Sequence, residues 1–514
     1  MLFWILFAAV LSLALLFPHP HFFQDVQYVL SKLKVRRRVQ KYHHRKYSIV
    51  DRFLDRVKAQ PHKPFILFKD ETFTYRDADE LSNKAARVFL QSGLVKEGDT
   101  VALFLGNSPM FLWLWLGLVK IGCSAAFLNH NIRSRSLLHC FNCSGATTLV
   151  AGEELQDAVE EVLPSLLEQQ VTVFILADRC RTADVKSFSD KMSQASSEPI
   201  SKDLRSHLTL QSPAAYIYTS GTTGLPKAAV ISHSKLWTMS LLLSTVAVNS
   251  KDVIYISLPL YHSAGFIGFT TAIERGITVA MRSKFSASQF WDDCRKYNVT
   301  VIQYIGEIMR YLCNTPRKLN DRSHKVRLAV GNGIRADVWR DFTSRFGNIQ
   351  IREFYGATEG NFFLLNYTGK IGAVGRDTFL HKRFFPYSLI KYDVDKGSPL
   401  RDSAGFCIEA AKGLEGRAGM AAVTLSEGQK FDSAGVFKHV EKFLPSYARP
   451  RFMRIRSSLD VTGTFKYLKT KLVEDGFNPN HITDPLYFLD EKDKNYIPLT
   501  LDIFSSITTG KIKI

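Results

Sequence analysis

The sequence contains few cysteines, seven in 514 residues, and they are scattered along the chain. Cys140 and Cys143 form a C-x-x-C pair, but no second pair completes a zinc site. The apolar neighbours of this pair predict that both thiols lie on a buried helix face. An odd, dispersed set argues against a disulfide framework, so we expect a reducing compartment.

Acidic residues are scarce relative to basic ones. The chain has 48 aspartates and glutamates against 67 lysines and arginines, a net charge of +19 with a pI near 9.5. This balance favours anionic partners such as a nucleotide, coenzyme A or an acidic membrane surface. Nucleic acid is not expected, because zinc-finger spacing, RNP-like aromatic motifs and a basic zipper are missing from the sequence.

A long uncharged run occurs at the start of the chain. As a helix, residues 1–17 would extend about 25 Å, slightly less than the roughly 30 Å of a bilayer core. A basic start and a small-residue cleavage site, which mark a signal peptide, are missing. We therefore predict a membrane anchor at 1–17 and a basic juxtamembrane segment at 18–47, which keeps the body cytosolic. An interfacial helix is the alternative.

A second apolar run, at 109–123, is interrupted by Lys120 and is predicted to be a core helix. Strand patterns alternate with helical ones from about residue 48, which predicts a parallel sheet covered on both faces. The predicted strands are 101–105, 147–151, 171–177, 214–217, 253–257, 300–304, 326–330 and 349–354. The polar stretch 187–206 is predicted to be a loop.

The last four of these strands run into clusters of polar residues and glycines. Open α/β sheets bind their ligands beyond the carboxyl ends of the strands. The four clusters therefore predict one composite site.

The strand at 214–217 leads into the stretch from Ile217 to Lys227, IYTSGTTGLPK. Small residues let backbone N–H groups approach a polyanion, hydroxyls add donors, and Lys227 adds charge, as a triphosphate requires. A Walker loop is excluded, because Leu225 and Pro226 precede the lysine and Ala228 replaces the magnesium-binding hydroxyl. The order [ST]-G-T-T-G-x-P-K instead resembles the phosphate loop of adenylate-forming (AMP-binding) enzymes, the acyl-CoA synthetase and luciferase superfamily.

This resemblance implies an α/β adenylate-forming fold. A large multi-strand N-terminal AMP-binding domain is expected at 48–413, incomplete at its end, and the remnant of a small α+β C-terminal domain at 414–514. The resemblance implies Thr222, Lys227, Thr358, Glu359 and Lys466 as catalytic residues. It implies a nucleotide-binding set of Tyr218, Thr219, Ser220, Gly221, Thr222, Thr223, Gly224, Lys227, Gly331, Asn332, Gly333, Tyr355, Gly356 and Thr358.

Individual roles follow from the same resemblance. In the motif YGATEG, Tyr355 should stack on adenine, Thr358 should contact the α-phosphate, and Glu359 should hold Mg²⁺. Lys466 matches the lysine of a mobile C-terminal domain that stabilises charge during adenylation. His262 matches a position beside the acyl pocket, with an ordinary core histidine as the alternative.

One branch of the superfamily is indicated by residues 285–307, the N-terminal anchor and the tail 477–490. They resemble the fatty acid transport proteins, or very long-chain acyl-CoA synthetases. The resemblance implies ATP-dependent ligation of long and very long fatty acids to coenzyme A, through an acyl-adenylate and coupled to uptake. The implied cofactors are ATP, Mg²⁺ and CoA, and membrane lipid is an expected partner; a homodimer is left open. The endoplasmic reticulum is the expected membrane, with peroxisome and plasma membrane as alternatives.

The pattern breaks between Phe406 and Met420. The family places there a Thr/Ser-Gly-Asp that holds the ribose hydroxyls and a hinge to the C-terminal domain. In this chain Gly413 runs directly into Leu414, a junction of segments that lie a small domain's length apart in the family. The sequence therefore predicts a shortened form with weak or no ligase activity.

A non-catalytic fatty-acid transport or binding protein is the alternative function. A hydrolase or acyltransferase is disfavoured, because no G-x-S-x-G elbow is found in the sequence.

Overall fold

The computed structural model describes residues 20–91, 93, 95–219, 225–393, 398–410, 419–444, 449–459, 470–491, 493–509 and 511–512. The chain divides into two compact units. The first extends through Pro386 and the second comprises the chain from Tyr387 onward. The predicted anchor at 1–17 lies outside the described residues.

Helices and strands alternate through the first unit. The α-helices are α1 (Phe22–His44), α2 (Ile49–Ala59), α3 (Tyr75–Gln91), α4 (Pro109–Lys120), α5 (Ser134–Cys143), α6 (Gln156–Glu160), α7 (Leu163–Glu168), α8 (Phe188–Gln194), α9 (His233–Leu243), α10 (Ser263–Arg275), α11 (Phe290–Lys296), α12 (Gly306–Cys313), α13 (Ala336–Phe346), α14 (Phe379–Phe384), α15 (Ser433–Phe443), α16 (Thr470–Asp475) and α17 (Leu501–Thr508).

The strands are β1 (Pro64–Phe68), β2 (Glu71–Thr74), β3 (Thr100–Phe104), β4 (Ser124–Leu128), β5 (Thr148–Gly152), β6 (Thr172–Leu176), β7 (Val185–Ser187), β8 (Pro213–Thr219), β9 (Lys227–Ser232), β10 (Val253–Ile256), β11 (Thr278–Met281), β12 (Val301–Ile305), β13 (Leu328–Asn332), β14 (Gln350–Gly356), β15 (Phe363–Leu365), β16 (Tyr392–Asp393), β17 (Ser398–Pro399), β18 (Met420–Thr424), β19 (Phe452–Arg456), β20 (Leu486–Asp490) and β21 (Asn495–Pro498).

The first unit contains two large sheets. One has the order β15-β14-β13-β12-β10-β11-β1-β2, parallel except at its two edge strands. The other has the order β7-β6-β5-β3-β4-β8-β9, parallel except for β9. The predicted strands are confirmed, as is the parallel arrangement. The local pattern did not reveal that they divide between two sheets, because sheet membership depends on pairing between distant segments.

Continuous apolar runs form the core, as expected for parallel strands covered on both faces. All five residues of β3, β4 and β5 are buried. The prediction that the run at 109–123 is a core helix is confirmed, since nearly every residue of α4 is buried. Lys120 is buried too, but its ammonium donates to the Asp79 carboxylate at 2.6 Å and to Asn83 at 2.7 Å. Among the described helices, none is both long and apolar enough to cross a membrane.

The basic segment after residue 20 forms α1, a 23-residue helix packed on the first unit. Buried Asp25 accepts hydrogen bonds from Arg376 at 2.7 Å and from the Tyr367 hydroxyl at 2.7 Å. The Tyr28 ring stacks on Tyr367, with centroids 4.3 Å apart. These contacts hold one side of the first half of the helix against the rest of the first unit.

Two local predictions were wrong. The stretch 187–206 contains α8 and a short 3₁₀ helix (Lys202–Arg205), because Ser187 caps α8 and Phe188 and Met192 bury its apolar side. Cys140 is buried on α5 as predicted, but Cys143 is exposed. A three-residue spacing on a helix placed the second thiol at the edge of the buried face.

The second unit is built on a four-stranded sheet of order β18-β19-β20-β21. Phe452 and Phe488 lie in one small core, and the adjacent Met453 and Leu489 lie in another. Since neighbouring strand residues point to opposite faces, this sheet is covered on both sides. The strand pair β16–β17 lies before it.

Candidate active site

The glycine-rich stretch is the connection of a β-hairpin. Strand β8 pairs antiparallel with β9, and Thr219 lies opposite Lys227. The Pro226 carbonyl lies 2.9 Å from the His139 imidazole, which holds the end of the connection. Ser220, Gly221, Thr222, Thr223 and Gly224 lie outside the described residues. The two ends of this stretch are thus brought together by strand pairing.

The four strands predicted to form one composite site are consecutive neighbours. They occur in the order β14-β13-β12-β10, all parallel, so their carboxyl ends share one sheet edge. The expectation that 331–333, 355–360 and the segment after β10 lie together is therefore confirmed at the level of topology.

Glu353 fixes the segment that follows β13. Its carboxylate accepts from the backbone N–H groups of Gly333 and Ile334, the latter at 3.1 Å, and from the Tyr304 hydroxyl. Gly333 has φ +82°, and no Cβ would fit at Gly306 against the Gly333 carbonyl, so both positions require glycine. Burial raises the pKa of Glu353 to about 7, while its three hydrogen bonds oppose the shift.

The motif YGATEG begins at the end of β14. Tyr355 is 53% exposed, so its ring is available for stacking. Thr358 is buried, and its hydroxyl lies 2.7 Å from that of Ser263 at the start of α10. Glu359 is exposed and interacts electrostatically with Lys235 on α9. Burial lowers the pKa of Lys235, and the Glu359 charge opposes that shift.

The segment after β10 is held by hydrogen bonds from a residue that follows a strand of the other sheet. Buried Asn107 follows β3 and donates to the Leu258 carbonyl at 2.9 Å, while its carbonyl oxygen accepts from Leu260 N–H at 2.8 Å. The His262 ring accepts from Ala264 N–H at 3.1 Å and so caps α10. His262 therefore has a structural task, whatever it contributes to an acyl pocket.

Two predicted residues stand apart from this arrangement. Tyr218 lies on β8, but its hydroxyl donates to the Cys140 carbonyl, and burial raises its pKa. The Tyr218 hydroxyl thus makes a packing contact, and the nucleotide contact of its ring stays a prediction. Lys466 lies outside the described residues.

No group of three or more histidine, cysteine or carboxylate side chains is positioned to hold a metal among the described residues. A single exposed carboxylate such as Glu359 suits Mg²⁺ nonetheless, because this ion usually keeps waters and binds substrate phosphates. The residues present fit an ion carried by a nucleotide.

Sequence reasoning missed three positioning residues, Asn107, Tyr304 and Glu353. It also missed Lys235, whose charge interacts with that of Glu359. Asn107 lies three residues after the buried strand β3, and Glu353 lies within β14, so a polar residue in or near a buried strand is a usable signal. Nothing in the local pattern distinguishes Lys235 or Tyr304, because their partners are distant in the chain.

Comparisons with known proteins agree with this geometry. The family of AMP-binding enzymes matches residues 53–382. The chain is 43% identical over 597 aligned residues to long-chain fatty acid transport protein 2 of Rattus norvegicus, covering 96% of each. It is 39% identical to long-chain fatty acid transport protein 6 of Homo sapiens, again covering 96% of each. Because 597 exceeds the 514 residues of this chain, the first alignment contains gaps on this chain's side.

Solved structures show the same fold. An anthranilate CoA ligase in complex with anthranoyl-AMP superposes with a TM-score of 0.67 at 17% identity, covering 83% of this chain and 97% of that one. A fatty acyl CoA synthetase of Mycobacterium tuberculosis gives a TM-score of 0.59 at 17% identity, covering 84% and 99%. At these identities the likeness establishes the architecture.

Proposed function

Because the chain belongs to the long-chain fatty acid transport proteins within the AMP-binding enzyme family, we propose that it is an ATP-dependent fatty acid–CoA ligase coupled to fatty acid uptake. The single observation that carries this proposal is the shared edge of β10, β12, β13 and β14. There, the YGATEG motif and the glycine segment fixed by Glu353 lie on neighbouring strands.

The reaction has two displacement steps. A fatty acid carboxylate oxygen bonds to the α-phosphorus of ATP, and the bond to the bridging oxygen breaks, releasing pyrophosphate. The thiol of CoA then attacks the acyl carbon, and the bond to AMP breaks as the thiol proton is released. Catalysis of phosphoryl chemistry depends mainly on positioning and on neutralising charge.

This chain's residues suit those needs. Tyr355 offers an exposed ring for adenine, and the Thr358 hydroxyl, oriented by Ser263, suits the α-phosphate. Lys227 begins the second strand of the hairpin, where strand pairing holds its backbone opposite Thr219, and its ammonium would supply positive charge for the triphosphate. Mg²⁺, held by Glu359, would supply charge neutralisation of the phosphates.

We also propose the finer points of membrane attachment. The uncharged segment 1–17 anchors the chain, and the basic charges after it keep the body on the cytosolic side. The endoplasmic reticulum is the proposed membrane.

A second candidate, a non-catalytic fatty-acid transport or binding protein, is favoured by the break after Phe406. The segment 387–410 exposes Leu389, Ile390, Tyr392, Leu400 and Phe406, each between 40% and 72% exposed. Such exposure is expected where a β-subdomain lacks its packing partners. The alignment with the rat relative contains gaps on this chain's side, as a shortened chain requires.

ATP–pyrophosphate exchange with a long-chain fatty acid distinguishes the two candidates. We expect weak fatty acid-dependent exchange, reduced roughly 100-fold or more by Glu359→Ala or Lys466→Ala. The first change removes the proposed Mg²⁺ ligand, and the second removes a positive charge that stabilises the transition state. Glu80→Ala and Lys438→Ala, at exposed positions in the same units, are the matched controls and should leave exchange unchanged.

A second experiment tests whether the shortening limits the ligase rate. Residues that the rat relative has and this chain lacks are inserted at the Gly413–Leu414 junction. We expect faster thioester formation by the longer chain. A folded chain that binds fatty acid yet shows no exchange would establish the non-catalytic alternative.

A further inference from the structure

Helix α1 presents a regular outward stripe. Seven of its exposed residues recur at spacings of three and four, which places these seven on one side of an α-helix. Five further residues of the helix are exposed beside them: Gln24, Arg36, Arg38, Gln40 and His43. The stripe consists of Phe23, Gln27, Leu30, Lys34, Arg37, Lys41 and His44. It contains three permanent positive charges and no acidic residue.

The orientation of this stripe is set by contacts on the opposite side of α1. Asp25 is bound by Arg376 and Tyr367, and the Lys32 ammonium lies 2.9 Å from the His381 ring on α14. Lys32 also lies over the Phe385 ring, 4.4 Å from its centroid. These contacts prevent α1 from rotating to bury its outward side.

The exposed charges are not neutralised within the protein. Among the described residues, no carboxylate lies within ion-pair distance of Lys34, Arg37 or Lys41. By contrast, Arg38 on the same helix pairs with Glu274 at 2.9 Å. The outward cations are therefore free to meet anions outside the molecule.

Large apolar side chains accompany these cations. Phe23 is 62% exposed and Leu30 51% exposed on α1, and Phe379 is 79% exposed on the packed helix α14. Isolated exposed apolar residues are ordinary, but aromatic and aliphatic groups beside unpaired cations are typical of helices that lie at a lipid headgroup layer.

We propose that the outward face of α1, with α14 beside it, docks on an anionic lipid surface. Three features indicate a lipid surface as the partner. Anionic headgroups complement the unpaired cations of α1, Phe23 and Leu30 are exposed beside them, and the uncharged segment 1–17 precedes the helix in the sequence. This contact is additional to the proposed anchor and does not depend on ligase activity.

Vesicle co-flotation of the full chain tests the proposal. Binding is compared on phosphatidylcholine vesicles and on vesicles with about 30% phosphatidylserine, since anionic headgroups attract basic side chains. The variant Lys34→Gln/Arg37→Gln/Lys41→Gln should lose about tenfold or more of the affinity for anionic vesicles and little for neutral ones. The variant Phe23→Ser/Leu30→Ser should weaken the binding that persists at high salt, to which the proposed anchor at 1–17 also contributes.

A matched control removes the same charges elsewhere. Arg179, Lys186 and Lys191 are exposed and close together in sequence, and their triple change to glutamine should leave anionic-vesicle binding within twofold. Equal losses in both triple variants, or no loss in the α1 variant, would overturn the proposal. The proposal would also be overturned if the α1 triple variant lost binding to single-stranded RNA but kept its binding to vesicles. That result would mean that the face binds a soluble polyanion. An unchanged far-UV circular dichroism spectrum and an unchanged thermal unfolding midpoint show that each variant is folded.

Discussion

Glu353 illustrates how a buried charge organises the candidate site. It lies on β14, and it holds a backbone segment that follows the neighbouring strand β13. Burying a carboxylate is costly unless hydrogen bonds compensate, and here two N–H groups and the Tyr304 hydroxyl do so. The conformation of the segment 331–335 therefore depends on one side chain outside it.

Replacing Glu353 should affect ATP binding more than fatty acid binding. Glu353→Ala leaves two backbone donors and a buried hydroxyl without an acceptor, each worth about 1–3 kcal/mol, so we expect KM for ATP to rise tenfold or more. Glu353→Gln retains an acceptor oxygen and should recover most of the loss. Initial rates of pyrophosphate exchange at varied ATP give this measurement, and an unchanged KM in the alanine variant would show that Glu353 does not position the segment.

The pH dependence follows from the same group. With a pKa of about 7, the Glu353 carboxyl takes up a proton as the pH falls from 8 to 6, and it becomes a weaker acceptor. KM for ATP should therefore rise over this interval in the natural chain. Glu353→Gln cannot titrate, so it serves as the control: the rise should be smaller in that variant.

Helix α1 is the element for which the structure adds most to the sequence-based interpretation. Its basic composition predicted a juxtamembrane segment, and the structure shows that its inner side is also part of the first unit's core. Tyr42 of α1 packs against Trp237, with ring centroids 4.3 Å apart, and Tyr28 is buried. A highly charged helix can still pack into a protein core when one of its sides carries enough apolar residues.

Removing the buried end of the Asp25–Arg376 pair should loosen this helix. Asp25→Ala leaves Arg376 and Tyr367 without their acceptor, and we expect a loss of roughly 2 kcal/mol, below the value for fully buried pairs because Arg376 is partly exposed. Denaturant unfolding followed by tryptophan fluorescence measures it, since Trp237 contacts α1.

Two further variants interpret that result. Asp25→Asn keeps an acceptor for Tyr367 and should lose less. Asp70→Asn removes one end of an exposed pair with Lys296 and should leave stability unchanged. Equal effects of Asp25→Ala and Asp70→Asn would mean that α1 is not held by this contact.

At the scale of the whole molecule, the segment 387–410 is unusual because it exposes several large apolar side chains. Phe406 is 72% exposed and Leu389 67% exposed, although the sheets that precede and follow this segment in the sequence have cores of buried apolar residues. This exposure is what the proposed shortening predicts, because the strands that would cover these residues would then be missing.

This surface should bind the dye ANS. We expect strong ANS fluorescence from the folded chain, reduced by Leu389→Ser/Tyr392→Ser/Phe406→Ser and by insertion of the relative's residues at the Gly413–Leu414 junction. Leu167→Ser/Leu204→Ser/Leu319→Ser, which changes isolated exposed leucines of the first unit, is the control and should have little effect. Undiminished fluorescence after the insertion would contradict the interpretation that strands are missing.

The sequence by itself determined the strands, the buried α4 and the order of the two motifs. These features are local: apolar runs, glycine placement and spacing are read within about ten residues. It also predicted that four strand ends share a site, because parallel strands carry their carboxyl ends to one edge.

Only the tertiary structure decided which strands share a sheet and which distant side chains support the motifs. The Glu353 contact with Gly333, the Asn107 contact with Leu258 and the Asp25 contact with Arg376 each join segments through buried polar groups. Their partners are fixed by the free-energy cost of leaving a buried charge or amide without a hydrogen bond. That cost arises only in the folded molecule, and no local pattern in the sequence expresses it.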